Sequence, residues 1–440
     1  MGKQRTQWAQ LTRQRWLILI VNCLINMCIG AIYTWSVFSP ALADHLNKLN
    51  GSTLNAGSLS LAFTVCNLVG PITMISGGFI NDRVGPRGVV FLGGLMFGGG
   101  LLICSIATSV SMVMLGFGLV CGLAMGLVYS CTVNNSVKFF PDHRGFIGGL
   151  VTATYGISSV LIPPIATRLI ENDGVDSTLR FFGLIFLTII CGGSFCVRRC
   201  PPGFVPDGWD PSVQNKEAPK MADQEWNEML CNPIFYVMLF MLTCGAFSGL
   251  MVISQASSIA QFMVGMTPGT AAVIVSALAL FNGSGRVLSG WVSDRLGCIR
   301  TLQAIFLFSI LGLALLLVAH SGTTGVFLTG IAFIGFCFGS FMGIFPGFTA
   351  EQFGSRNNSV NYGIMFIGFA LAGFFGPMSM SFLCQHNGNY LTSFRLGIVL
   401  CVIGFMLTFV YLFFKHQNVT PSQSFTFGKK SKQKTTKAIT

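Results

Sequence analysis

Charge is what this chain has least of. Of 440 residues only 9% are Asp, Glu, Lys or Arg, while 52% are hydrophobic and Phe alone occurs 41 times. No soluble chain of this length could solvate that composition. Acids are scarcest, 14 against 26 Lys and Arg. With the five histidines they fall in loops, tails or helix ends, so no catalytic set converges at depth, and the chain is not expected to be an enzyme. No G-x-x-x-x-G-K phosphate loop occurs, which argues against an ATP-driven pump. The 15 cysteines lie almost wholly in apolar segments, with no paired set in the outer loops to suggest a disulfide framework. Cys196 and Cys200 flank Arg198 and Arg199, but two thiols alone complete no metal site. No metal and no cofactor is expected.

What is present is apolar length. Segments of about 20 residues or more, as a spanning helix requires, are expected near 16–40, 54–80, 88–110, 112–137, 145–167, 180–198, 232–262, 269–293, 301–320, 324–350, 359–384 and 392–414. The chain reads as an all-α polytopic membrane protein with twelve transmembrane helices. Its first apolar run is too long, and lacks the cleavage site, for a signal peptide. With the N-terminus in the cytoplasm, twenty-one basic residues face that side, from Lys3, Arg5, Arg13 and Arg15 to the tail lysines. Only Lys48, Arg168, Arg180 and Arg395 fall outside. That bias places both termini in the cytoplasm, in the plasma or inner membrane. The net charge of +12 is then topology, not nucleic-acid binding.

The chain divides into an N-terminal six-helix half (1–198), a cytoplasmic linker (199–231) rich in proline and acids, a C-terminal half (232–414) and a polar, lysine-rich tail (415–440) expected to be disordered. The halves repeat. Gly78-Phe-Ile-Asn-Asp82-Arg83-Val-Gly85-Pro-Arg87 follows the second span, and Gly290-Trp-Val-Ser-Asp294-Arg295-Leu-Gly297-Cys-Ile-Arg300 follows the eighth. Glycine allows the tight loop, while Asp can cap a helix or pair with an arginine at a neighbouring helix end. The pair reads as a cytoplasmic gate: Gly78, Asp82, Arg83, Gly85, Arg87, and Gly290, Asp294, Arg295, Gly297.

These loops resemble the major facilitator superfamily signature G-x-x-x-D-R-x-G-x-R, closely in the first half and with one extra residue in the second. Within it the chain resembles the oxalate/formate antiporter family and its monocarboxylate-transporter relatives. The resemblance rests on Arg15-Trp16, Gly30-Ala-Ile-Tyr33-Thr-Trp35-Ser, Lys138-Phe-Phe-Pro141-Asp-His-Arg144-Gly145, Gly249-Leu-Met-Val-Ile-Ser-Gln255-Ala and Asn361-Tyr362-Gly363. It implies secondary transport of small carboxylates by alternating access, with the site between two pseudo-symmetric halves near the midplane.

Arg286 is the one formally charged side chain that cannot be placed near the end of an apolar segment. A cation at that depth costs from about 3 to above 10 kcal/mol, so it is rarely kept without a partner or a task. With no acid at similar depth, its partner is expected to be a substrate anion. The resemblance implies the same, since relatives bind the carboxylate with an arginine on the eighth helix, often preceded by an asparagine four residues earlier. Asn282 stands there, on the same helical face. A guanidinium grips a carboxylate through two parallel hydrogen bonds.

Family members that carry oxalate have a lysine eight residues after the asparagine of the Asn361-Tyr362-Gly363 segment; here that position is Phe369. One buried cation suits a monoanion better than a dianion, so L-lactate or pyruvate is expected ahead of oxalate. Phe338, Phe341, Phe366 and Phe369 would wall the carbon skeleton. The hydroxyls of Tyr33, Tyr129 and Tyr155 serve either interhelical hydrogen bonds or the ligand. Two coupling mechanisms stay open: symport with a co-transported proton, placed first, and oxalate/formate-type anion exchange. The expected partners are a small carboxylate and the lipid bilayer, with the carrier a monomer.

Overall fold

A computed structural model describes residues 2–51, 53, 54, 56–209 and 223–419. Among them no strand forms. The twelve expected spans are present among the described residues, the fifth and sixth lying within Arg144–Ser194 on either side of a non-helical break at Gly174 (φ 83°, ψ 165°). An L side chain rarely adopts that conformation, so glycine is what lets the chain reverse there. The first span is longer than expected: Gly2–Ile29 continues through a 3-10 turn, Gly30–Thr34, into Trp35–Asn50.

Ser60–Val84 and Pro86–Ser105 are the second and third spans. The fourth runs from Val110–Val113 through a π-helical stretch, Met114–Cys121, into Gly122–Phe139. The seventh is Pro233–Ile253 followed by Ala256–Val264, and the eighth, ninth and tenth are Pro268–Leu296, Cys298–Val318 and Thr324–Phe353. The eleventh is broken into Asn358–Met365 and Ile367–Asn387, and the twelfth, Leu391–Val419, runs past the expected end at 414. Starts are set locally. Asn232 and Thr267 accept the N–H groups of Ile234 and Thr270, and each precedes a proline at the first helical position, where a missing N–H costs nothing.

In the linker, Glu225 and Glu228 form a capping box for a short helix, Trp226–Cys231. Pro211, Pro219, Lys216, Glu217 and Lys220, and the tail from 420, lie outside the described residues. Cys200 is turned inward and donates to the Lys138 carbonyl at 3.4 Å. Burial pushes its thiol up to about 12, which removes the thiolate that metal binding or acylation needs.

The spans meet through glycine. A methyl group on Gly149 of the fifth span, or on Gly343 of the tenth, would run into the carbonyl of Arg286. One on Gly339 would meet that of Asn282. The eighth span is thus seated backbone-to-backbone between one helix of its own half and one of the other.

Candidate functional site

Two clusters join the halves. The first is at the end of the bundle that carries the termini and both motif loops. Here Asp82 pairs with Lys138 at 2.5 Å within its own half, and its other oxygen accepts the N–H of Val360, in the first turns of the eleventh span, at 3.2 Å. Lys138 also donates to the Arg356 carbonyl at 2.9 Å. In the second repeat Asp294 accepts the N–H groups of Gly145 and Phe146, at 2.7 and 2.8 Å, at the start of the fifth span. Each motif aspartate therefore sits at a helix N-terminus of the opposite half, where exposed N–H groups and the helix dipole favour an anion. Of the two roles open to these acids, capping is the one realised across the halves, and the ion pair of Asp82 is with lysine.

Neighbouring polar contacts reinforce the seam. Asn81 donates to the Ser359 hydroxyl at 2.8 Å, Asn358 to Asn134 Oδ1 at 2.6 Å, and Ser130 to the Ser359 carbonyl at 3.3 Å. Within the N-terminal half, Arg15 grips Asp142 bidentately at 2.8 and 2.9 Å and lies 4.4 Å over the Phe140 ring. None of these pairings is readable from spacing, because each joins residues at least 120 positions apart or depends on the interdomain fit.

The second cluster lies deeper. Arg286 is 3% exposed. Its Nε donates to Asn282 Oδ1 at 3.1 Å and its Nη1 to the Thr152 carbonyl of the fifth span at 2.7 Å. The expected Arg286–Asn282 pair forms, as the four-residue spacing requires. The Thr152 carbonyl has no signature in a sequence. Gly156 lies against the guanidinium, where an added methyl group would stand in ordinary contact, 3.8 Å from its carbon. Among the described residues no carboxylate pairs with Arg286.

Four tyrosines stand close enough for its charge to act on them: Tyr33, Tyr129, Tyr155 and Tyr362. The rings of Tyr33 and Tyr155 meet edge to face at 5.3 Å, and those of Tyr129 and Tyr155 at 5.2 Å. Tyr155, Tyr129 and Tyr362 are buried. Tyr33 is 36% exposed although both residues on each side of it are buried, so its face opens to space inside the bundle. Tyr362, whose ring lies 5.8 Å from that of Phe366, joins this group without having stood out as a site residue in sequence. The break at Phe366 hides its helical phase.

Phe366 and Phe369 stack at 4.5 Å, Tyr129 lies 5.9 Å from Phe366, and Phe338 lies 6.4 Å from Phe369. Phe341 is not in this wall. It is fully buried, 4.8 Å from Phe306 of the ninth span and pressed on Gly245 of the seventh. Both Phe338 and Phe341 press on the seventh span, at Gly249 and Gly245, but Phe338 also reaches Phe369 whereas Phe341 reaches Phe306. What the site offers is one cation, tyrosine hydroxyls and an aromatic wall, fit to hold a small anion with an apolar flank.

A model of the family described as Major Facilitator Superfamily matches residues 15–377 and 256–439. The chain is 30% identical over 360 residues to the uncharacterized MFS-type transporter YhjX of Escherichia coli (strain K12), covering 82% of this chain and 86% of that one. It is 27% identical over 413 residues to the oxalate:formate antiporter of Oxalobacter formigenes (92% and 94%), and 23% identical to monocarboxylate transporter 12 of Rattus norvegicus (87% and 82%). Among solved structures, the fold is similar to the transporter FucP in the outward conformation (TM-score 0.66, 14% identity, covering 90% of this chain and 99% of that one). It is also similar to the proton:xylose symporter XylE (0.68, 12%, 91% and 96%).

Proposed function

The chain belongs to the major facilitator superfamily, and we propose that it carries a short-chain monocarboxylate, L-lactate or pyruvate, across the cell membrane by alternating access. The single observation that carries this reading is a buried arginine without a carboxylate partner among the described residues, set between tyrosine hydroxyls and a phenylalanine wall. In this reading the substrate carboxylate docks on Arg286. Asn282 and the tyrosines hold its keto or hydroxyl oxygen, and Phe366, Phe369 and Phe338 cover its methyl end. Phe369, where a second cation would suit a dianion, favours a single charge. The relatives named for oxalate, formate and monocarboxylates support a small carboxylate as the class.

By the lysine and arginine bias, the motif end is the cytoplasmic one and both termini lie inside. The halves are fastened together at that end by Asp82 and Asp294, so the motif end is closed. Anion binding must then favour passage through the occluded state. Proton symport is our first reading of the coupling. Anion exchange is the second, favoured by the absence, among the described residues, of an acid or histidine beside Arg286. Uptake of labelled L-lactate into proteoliposomes under an inward proton gradient tests both. Accumulation that collapses with a protonophore supports symport, and flux that requires trapped formate or lactate supports exchange. Absence of L-lactate and pyruvate flux in both arms overturns the monocarboxylate assignment.

A further inference from the structure

The N-terminal half holds a second basic site, apart from Arg286. Where the second span turns into the third, Gly85 (φ 110°) lets the chain bend, with the Arg199 side chain packed 3.5 Å from where its Cβ would be. This bend and the end of the sixth span enclose a pocket of about 530 Å³ lined by Arg87, Arg198 and Arg199. Its apolar part comes from Val84, Phe91 and Phe195, and Val84 and Phe195 are 77% and 62% exposed on the outer surface of the bundle.

Each guanidinium is held by neutral oxygens. Arg87 donates to the Phe195 carbonyl at 2.9 Å, Arg198 to Gln14 at 3.3 Å, and Arg199 to the carbonyls of Arg83 and Asp82 at 3.0 and 2.8 Å. No acidic residue lines the pocket, and among the described residues no carboxylate pairs with any of the three. With five donors on each arginine, most of the hydrogen-bonding capacity and all of the charge are uncompensated.

The duplication supplies an internal contrast. The corresponding place in the second half, between Leu296–Gln303 and the end of the twelfth span, holds a pocket of about 390 Å³ with Arg300 and Lys415. There Glu351 sits among the basic groups, so the same architecture sets one acid against two basic groups in one half and three arginines with no acid in the other.

We propose that the N-terminal pocket binds the headgroup of an anionic phospholipid from the surrounding leaflet. The phosphodiester would sit on Arg87, Arg198 and Arg199, and the acyl chains would run over Val84 and Phe195. Charge complementarity fixes the sign of the ligand, and the opening onto the apolar outer surface at a span end fixes its source as the bilayer, where basic clusters attract anionic headgroups. The site bears on the gate. Arg199 holds the backbone of Asp82, whose carboxylate caps Val360 across the halves, so an occupied pocket stiffens the loop that keeps the motif end closed.

Native mass spectrometry of the purified full-length chain, with phosphatidylglycerol, phosphatidylcholine or inorganic phosphate added, tests this. Amide exchange at Val360 is followed in parallel. The expected result is preferential retention of phosphatidylglycerol, a slowing of exchange at Val360 by that lipid, and a loss of about tenfold or more in its apparent affinity in the Arg198→Gln/Arg199→Gln variant, as lost charge-assisted hydrogen bonds imply. Arg300→Gln should leave it unchanged. Equal retention of the two lipids by the wild type, survival of the preference in the double variant, or inorganic phosphate reproducing the lipid's effect would each overturn it. Should the double variant fail to fold, Arg198→Gln alone and the wild-type lipid comparison decide.

Discussion

Asp82 and Val360 belong to different halves, yet the carboxylate of one closes the helix N-terminus of the other at 3.2 Å. Asp294 and Phe146 repeat the relationship with the halves exchanged, at 2.8 Å. The motif aspartates are therefore reciprocal caps, and closure of this end of the bundle is written as helix capping between domains.

Breaking one cap should loosen that end without unfolding the halves. A carboxylate on helix N–H groups contributes about 1–2 kcal/mol. Asp294→Asn should therefore speed amide exchange at Gly145 and Phe146 by roughly tenfold, with exchange in the ninth span unaltered. Unchanged exchange at both amides would count against the cap.

Arg286→Gln should abolish L-lactate binding, read by isothermal titration, while the protein keeps its fold, because the amide can still donate to Thr152. Arg286→Lys keeps the charge and loses the fork, so it should bind about 10- to 100-fold more weakly. Wild-type binding by a well-folded Gln variant would remove the anion-anchor role.

The glycine seams make a stability prediction. Gly149→Ala sets a methyl group against the Arg286 carbonyl, a backbone atom that cannot swing aside, and should cost about 1–3 kcal/mol. Gly99→Ala and Gly192→Ala meet nothing within 4 Å and should be neutral or slightly stabilising. Thermal melting of the three purified variants separates the outcomes.

Phe369→Lys adds the second cation that the aromatic wall lacks. Competition against labelled L-lactate should shift toward oxalate by at least about tenfold, the scale of one charge-assisted contact. A folded variant whose mono- to dicarboxylate preference does not move would refute the charge-counting argument.

What was legible in sequence followed from local constraint. Arg286 stood out because a lone cation at depth is expensive, and Asn282 because four residues return to the same helical face. The spans were legible from apolar length, and the break at Gly174 falls between the fifth and sixth expected segments; the continuous Gly2–Asn50 run was not legible, since helix continuity past a membrane boundary depends on packing. The motif aspartates were recognisable as caps or pairing groups. Their partners, the amides of Val360, Gly145 and Phe146, were not, because backbone donors carry no residue code. Phe341 shares a helical face with Phe338, so spacing alone does not separate them; its packing on Phe306 depends on the ninth span.

The bond from Arg286 to the Thr152 carbonyl makes the buried arginine a tether between the halves. Under the proposed function, an arriving carboxylate would find the guanidinium already engaged by a neutral oxygen of the other half and would have to share or replace it. Ligand capture and the release of one interdomain fastening would then be a single exchange of acceptors, with the buried cation keeping an oxygen partner throughout and the incoming anion inheriting a seat whose geometry has been kept for it.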